Sequence, residues 1–146
     1  MARRYQLIGL AAIGVVATMA SACSGPGHSR VSSAVTRHFK GVPTGVSTAA
    51  VQQHLRTQKP WAAWAGSRSI SVMTWGSGSC PSLPSSVEAA GADQVVVHTV
   101  VGPGDVCTSD LAITTSVVRL PSRVDTRRVL VVQIDGTSTR LPARTA

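Results

Sequence analysis

Residues 69–75 read Ser69-Ile70-Ser71-Val72-Met73-Thr74-Trp75. Ile70, Val72 and Thr74 alternate with Ser71, Met73 and Trp75, a period of two that a pleated strand converts into two unlike faces. Its β-branched residues pack well on such a surface. Working outward, comparable runs stand at 87–90 and 94–101, separated by the turn Gly91-Ala92-Asp93. Residues 112–120 and 128–134 supply two more, and Asp135-Gly136 is a two-residue hairpin signal leading to a last short strand through Arg140 and Leu141. Six short strands in about 75 residues predict a mainly β fold, a small antiparallel sandwich or barrel.

The composition fits that prediction. The chain has 146 residues and is 43% hydrophobic but only 3% aromatic, so small and β-branched residues must fill most of the core. This length allows one domain and leaves no room for a two-domain enzyme. Its net charge of +8 comes largely from arginine, Lys40 and Lys59 being the only lysines. Residues 24–60 hold Arg30, Arg37, Lys40, Arg56 and Lys59 with no carboxylate, whereas residues 61–146 hold seven arginines and six carboxylates, a net of +1. The basicity is therefore expected next to the N-terminus. Scattered arginines, together with the export signal described next, argue against nucleic-acid binding.

The first residues place Arg3 and Arg4 ahead of an uncharged stretch at 7–22, the charged and apolar regions of a secretory signal. That stretch is shorter than the roughly 20 residues a membrane-spanning helix needs, so removal is expected. Ala20-Ser21-Ala22-Cys23 resembles the lipobox of bacterial lipoproteins, in which the cysteine is diacylated and becomes the new N-terminus. Ala20 stands where that motif usually has Leu, and Ala20-x-Ala22 also suits ordinary signal peptidase, which would yield a secreted protein. Cysteine parity favours lipidation. Of three cysteines, Cys80 and Cys107 are expected to bond in an oxidising compartment, and a lipid on Cys23 accounts for the third. Closing a loop of about 28 residues is worth roughly 3.5 kcal/mol by chain entropy.

The expected plan is a signal peptide at 1–22, a lipid-anchored flexible tether at 23–60 and a β domain at 61–146. Within the tether, Ser47 or Thr48 can cap a short helix through Ala49, Val51, Gln52 and Leu55, ended by Lys59-Pro60. A flexible segment from 24 to 60 would reach about 30 to 35 Å.

Two further blocks, W-G-S-G-S-C-P at 75–81 and C-T-S-D-L-A-I-T-T-S-V-V-R-L-P at 107–121, resemble a family of small actinobacterial lipoproteins of unknown function. The resemblance spans roughly 68–142. It implies a secreted β domain with one disulfide and carries no activity with it.

Candidate chemistry is sparse. His28, His38, His54 and His98 lie in separate segments with no carboxylate cluster beside them, which gives a metal site little support. The nearest approach to a hydrolytic set is Ser77 or Ser79 with His98 and Asp110, but the nucleophile elbow G-x-S-x-G is absent. Residues 76–80 read better as a loop shaping the approach to the disulfide, and Asp110 as the anchor of an Asx turn. Gly102-Pro103-Gly104-Asp105 lacks the Lys and Ser/Thr of a phosphate loop and reads as a turn. Trp61 and Trp64 form either an aromatic shelf for a glycan or peptide, or a plug for the open end of the domain.

The function expected is non-enzymatic, binding or structural, in an exported protein held at the outer face of the cytoplasmic membrane by a lipid on Cys23. No cofactor is expected. The basic tether would meet anionic lipid or wall polymer, and an envelope protein or glycan would be the partner. The alternative is a small envelope hydrolase using Ser79, His98 and Asp110.

Overall fold

A computed structural model describes residues 30–144; the signal segment, Cys23 and His28 lie outside the described residues. The alternation at 69–75 becomes β3 (Ser69–Gly76), whose Ile70 and Val72 face the core. Around it stand β1 (Val35–Lys40), α1 (Thr48–Thr57), β2 (Trp61–Gly66), β4 (Ser82–Ala89), β5 (Gln94–Val101), β6 (Ala112–Arg119), β7 (Leu130–Ile134) and β8 (Thr137–Leu141). The strands form two four-stranded sheets, ordered β1-β6-β3-β2 and β4-β5-β7-β8. This is a β sandwich closed by a Cys80–Cys107 disulfide, as the sequence predicts. One pair is not antiparallel: β5 and β7 run side by side, Val95 beside Val132 and Val97 beside Ile134.

The core lies between the sheets. Ala62, Ile70, Val72 and Val118 from the first meet Val95, Val97, Leu130, Val132 and Ile134 from the second, all fully buried. Burying an aliphatic side chain of this size contributes about 1.5 to 3 kcal/mol, which suffices for a small domain with few aromatics. At Asp135 and Gly136 the chain turns with φ of 44° and 84°, the left-handed pair that a tight two-residue hairpin requires.

Two strands escaped the pattern reading, and a third is longer than expected. In β2, Trp-Ala-Ala-Trp-Ala-Gly shows no hydrophobic alternation because alanine occupies both faces. The run expected at 87–90 extends back to Ser82, through Pro84. Proline cannot donate to a ladder, but β4 is an edge strand and its register breaks between Pro84 and Ser86.

The larger correction concerns the tether. Residues 35–40 are a strand of the first sheet, pairing with β6 from Val35 opposite Val118 to Lys40 opposite Thr114. The domain therefore begins before β1, not at residue 61. Without β1, strand β6 would present a bare row of N–H and C=O groups at a sheet edge. Backbone complementarity selects β1 here, since its side chains are exposed or only half-buried. The expected helix is present as α1, with Ser47 Oγ accepting from the Ala50 N–H at 3.3 Å and Gln58 ending it in the left-handed conformation.

Because β1 and β2 occupy opposite edges of one sheet, residues 41–60 must cross from one edge to the other. Thr115 Oγ1 donates to the Gly41 carbonyl at 2.6 Å where the crossing starts. His54 stacks on Trp61 at 4.2 Å where it ends. The segment is thus strapped to the sheet, and no helix among the described residues is long and apolar enough to cross a membrane.

A chain starting at residue 61 is expected to leave β6 unpaired and to self-associate, while one starting at residue 30 stays monomeric with a sharp melt. Size-exclusion chromatography and thermal unfolding decide this. A monomeric 61–146 chain with the same melting temperature would return β1 to the tether.

Candidate functional site

The loops that leave β3 and enter β6 meet because Gly76 pairs with Ala112 at the end of the ladder. The disulfide ties them further, with Cys80 buried and the Cα atoms 5.2 Å apart. Gly104 must be glycine in this arrangement: a Cβ there would stand 2.7 Å from Cys80 Sγ and 2.8 Å from the Ser79 carbonyl oxygen.

A ring of hydroxyls surrounds the bond. Ser79 Oγ donates to the Val106 carbonyl at 2.9 Å and accepts from the Thr108 N–H at 2.8 Å. Ser77 Oγ accepts from the N–H groups of Ser79 at 3.2 Å and Cys80 at 3.3 Å and lies 2.8 Å from the Thr108 hydroxyl. Asp110 Oδ1 accepts from the Thr108 hydroxyl and from the Gly78 N–H, the latter at 3.1 Å. Gly78, Ser79, Thr108 and Asp110, together with Lys40 and Ser109, border an open cleft of about 610 Å³. The Thr108 hydroxyl holds the Asp110 carboxyl below its ordinary pKa, with the Gly78 N–H as the next cause and Lys40 as a weaker one.

Of the expected hydrolytic set, the structure joins Ser79 and Asp110 to one network and leaves His98 elsewhere. His98 is an exposed residue of β5, opposite Ser86 in the second sheet, and its carbonyl accepts from Ser85 Oγ. Ser79 gives its proton to the Val106 carbonyl and accepts from the Thr108 N–H, so its hydroxyl ties the two loops together. No group of three His, Cys, Asp or Glu residues able to hold a metal occurs among the described residues. The chain matches no family model, no curated protein and no solved structure.

The tryptophans sit at the other edge of the first sheet. Ala62 and Trp64 lie on the core side of β2, where Trp64 packs against the core and donates from Nε1 to the Pro142 carbonyl at 2.8 Å. Trp61 alternates to the opposite side and stacks on His54. They therefore do not make one flat shelf, although both border a cleft of about 400 Å³ with Ala50 and Arg140. Burial lowers the His54 pKa from its ordinary value, which favours the neutral ring against the indole, while the Lys59 backbone acts weakly the other way. Sequence reasoning missed Lys40 and Thr108. Lys40 reads as part of the tether, and nothing local marks Thr108 as the link between Ser77 and Asp110.

Replacing both Cys80 and Cys107 with serine should lower unfolding free energy by about 3.5 kcal/mol in denaturant titrations. Protein from its native compartment with two free thiols at these positions would contradict the bond. Asp110 gives a pH test. Its pKa is lower folded than unfolded, so its contribution is complete above the ordinary carboxylate value of about 3.9 and fades as pH falls through the folded one. The Gly78 amide resonance should report that titration with a midpoint below the ordinary value, and Asp110→Asn should abolish it. A midpoint at or above the ordinary value would show that the Thr108 and Gly78 contacts do not form.

Proposed function

We propose that the protein is an exported envelope module, anchored by a lipid on Cys23 to the outer face of the cytoplasmic membrane, with a binding or structural role rather than a catalytic one. The observation that supports this most is the pairing of Cys80 with Cys107, which suits an oxidising compartment and leaves Cys23 as the odd sulfur. The lipobox-like run before Cys23, and the resemblance of the cysteine blocks to small lipoproteins, point the same way. A non-catalytic role is supported by the disulfide cluster, in which Ser79 and Asp110 are engaged in holding two loops together. No residue of the cluster needs a cofactor. The partner on this reading is an envelope protein or glycan.

Cys23→Ala is expected to move the protein from the membrane fraction to the medium, and mass spectrometry of the wild-type N-terminus should show a diacylated cysteine. A wild-type protein found wholly in the medium with an unmodified Cys23 would replace the anchored reading with a secreted one.

A further inference from the structure

The charges of the molecule are sorted between the two layers. The first sheet with its connections, residues 30–76 and 112–121, carries Arg30, Arg37, Lys40, Arg56, Lys59, Arg68 and Arg119 and no carboxylate at all. All six carboxylates, Glu88, Asp93, Asp105, Asp110, Asp125 and Asp135, fall in the second sheet and the loops, together with the five arginines from Arg123 onward. The first layer thus holds seven cations and no anion, whereas the rest has a net charge of −1.

Two of the seven are occupied. Lys40 lines the cleft that holds Asp110, and Arg68 donates to the carbonyls of Pro121, Ser122 and Val124. The other five have no ion-pair partner among the described residues, where the ion pairs are Arg127 with Asp125 and Arg128 with Asp93. Arg37 and Arg119 stand on the side of the first sheet turned away from the core, since Arg37 pairs with Val117 and the core residue is Val118. Arg37 lies 5.7 Å from the Phe39 ring on that same side. Arg56 and Lys59 belong to the strap, on which Val42 and Leu55 also expose apolar side chains.

We propose that this outer side of the first sheet, with its strap, is the surface by which the domain lies on an anionic phospholipid bilayer. The orientation rests on the anchored reading, because Cys23 precedes Arg30 by only seven residues, a span of at most about 25 Å when fully extended. With the strap bound to the sheet, no long tether separates domain from lipid. The layer without carboxylates then faces the headgroups, and the carboxylate-bearing layer faces away. Unpaired cations within a Debye length of an anionic surface each raise partitioning about fivefold, and exposed aliphatic side chains among them add contact with the interface.

The test uses the mature chain from residue 23 with Cys23→Ser, which removes any lipid, and vesicles of phosphatidylcholine with about one-third phosphatidylglycerol. Sedimentation should show binding at low salt that weakens at high salt, and none to pure phosphatidylcholine. Replacing Arg37, Arg56 and Lys59 together with glutamine should lower partitioning by roughly 100-fold. The same loss of three charges through Arg123, Arg127 and Arg128 should change it less than about threefold. Equal losses in the two triple variants would reduce the effect to net charge and overturn the proposal, as would no binding of the parent chain, or binding to isolated wall polymer only. Thermal melts and an intact disulfide control for folding. Anchoring is read separately from the N-terminal mass of the wild type, so an unlipidated protein that still binds vesicles through this face would remove the anchor and leave the surface.

Discussion

Strand β6 has backbone partners on both sides, β1 along one edge and β3 along the other, and the rest of the molecule is arranged around that pair of ladders. The β3–β6 register is unbroken from Ser69 opposite Arg119 to Gly76 opposite Ala112. This continuity brings the two cysteine loops together at one end and sets Ile70 against Val118 in the core. Thr74 carries the connection to the second layer, donating its hydroxyl to the Ser82 carbonyl at the start of β4 at 2.6 Å. A polar group buried at such a junction is tolerable because its hydrogen bond is made. Ser116, opposite Val72 on β6, has a buried hydroxyl with no protein partner.

Sequence patterns revealed the elements that sort side chains by polarity and hid those held by backbone alone. Strands β3, β5, β6, β7 and β8 announce themselves by alternation, by runs of valine or by the Asp135-Gly136 turn. β1 reads as linker because Arg37, His38 and Lys40 would be equally at home in solvent; what recruits it is the open side of β6, a feature of another segment 80 residues away. β2 is masked by its alanines and by tryptophans that go to different faces. The parallel pairing of β5 with β7 is invisible locally, since a hairpin-rich sequence suggests antiparallel neighbours throughout.

The disulfide cluster was legible in its covalent part and in the loop role of residues 76–80, but not in its hydrogen bonds. Two cysteines outside the signal region suggest their own pairing, but the ties among Ser77, Ser79, Thr108 and Asp110 depend on two loops whose contact is set by the β3–β6 ladder. The same geometry separates His98, which sequence alone allows anywhere. Side-chain hydroxyls do for these loops what a larger hydrophobic core would do elsewhere: with few aromatics available, the exposed end of the sandwich is stiffened by short hydrogen bonds to backbone groups around a covalent crosslink.

The pairing of the first strand with the sixth also governs how the chain can fold. Val35 is separated from Val118 by most of the domain, so the sheet cannot close its outer edge until nearly the whole sequence is in place. The local hairpins β2–β3, β4–β5 and β7–β8 can form early, whereas β1 must wait for a partner made late. A fold dominated by such distant pairings has high contact order and belongs to the slow end of the range for small domains. In the interval, an unpaired β6 edge is the chain's point of greatest exposure to wrong partners, including the same edge of another copy.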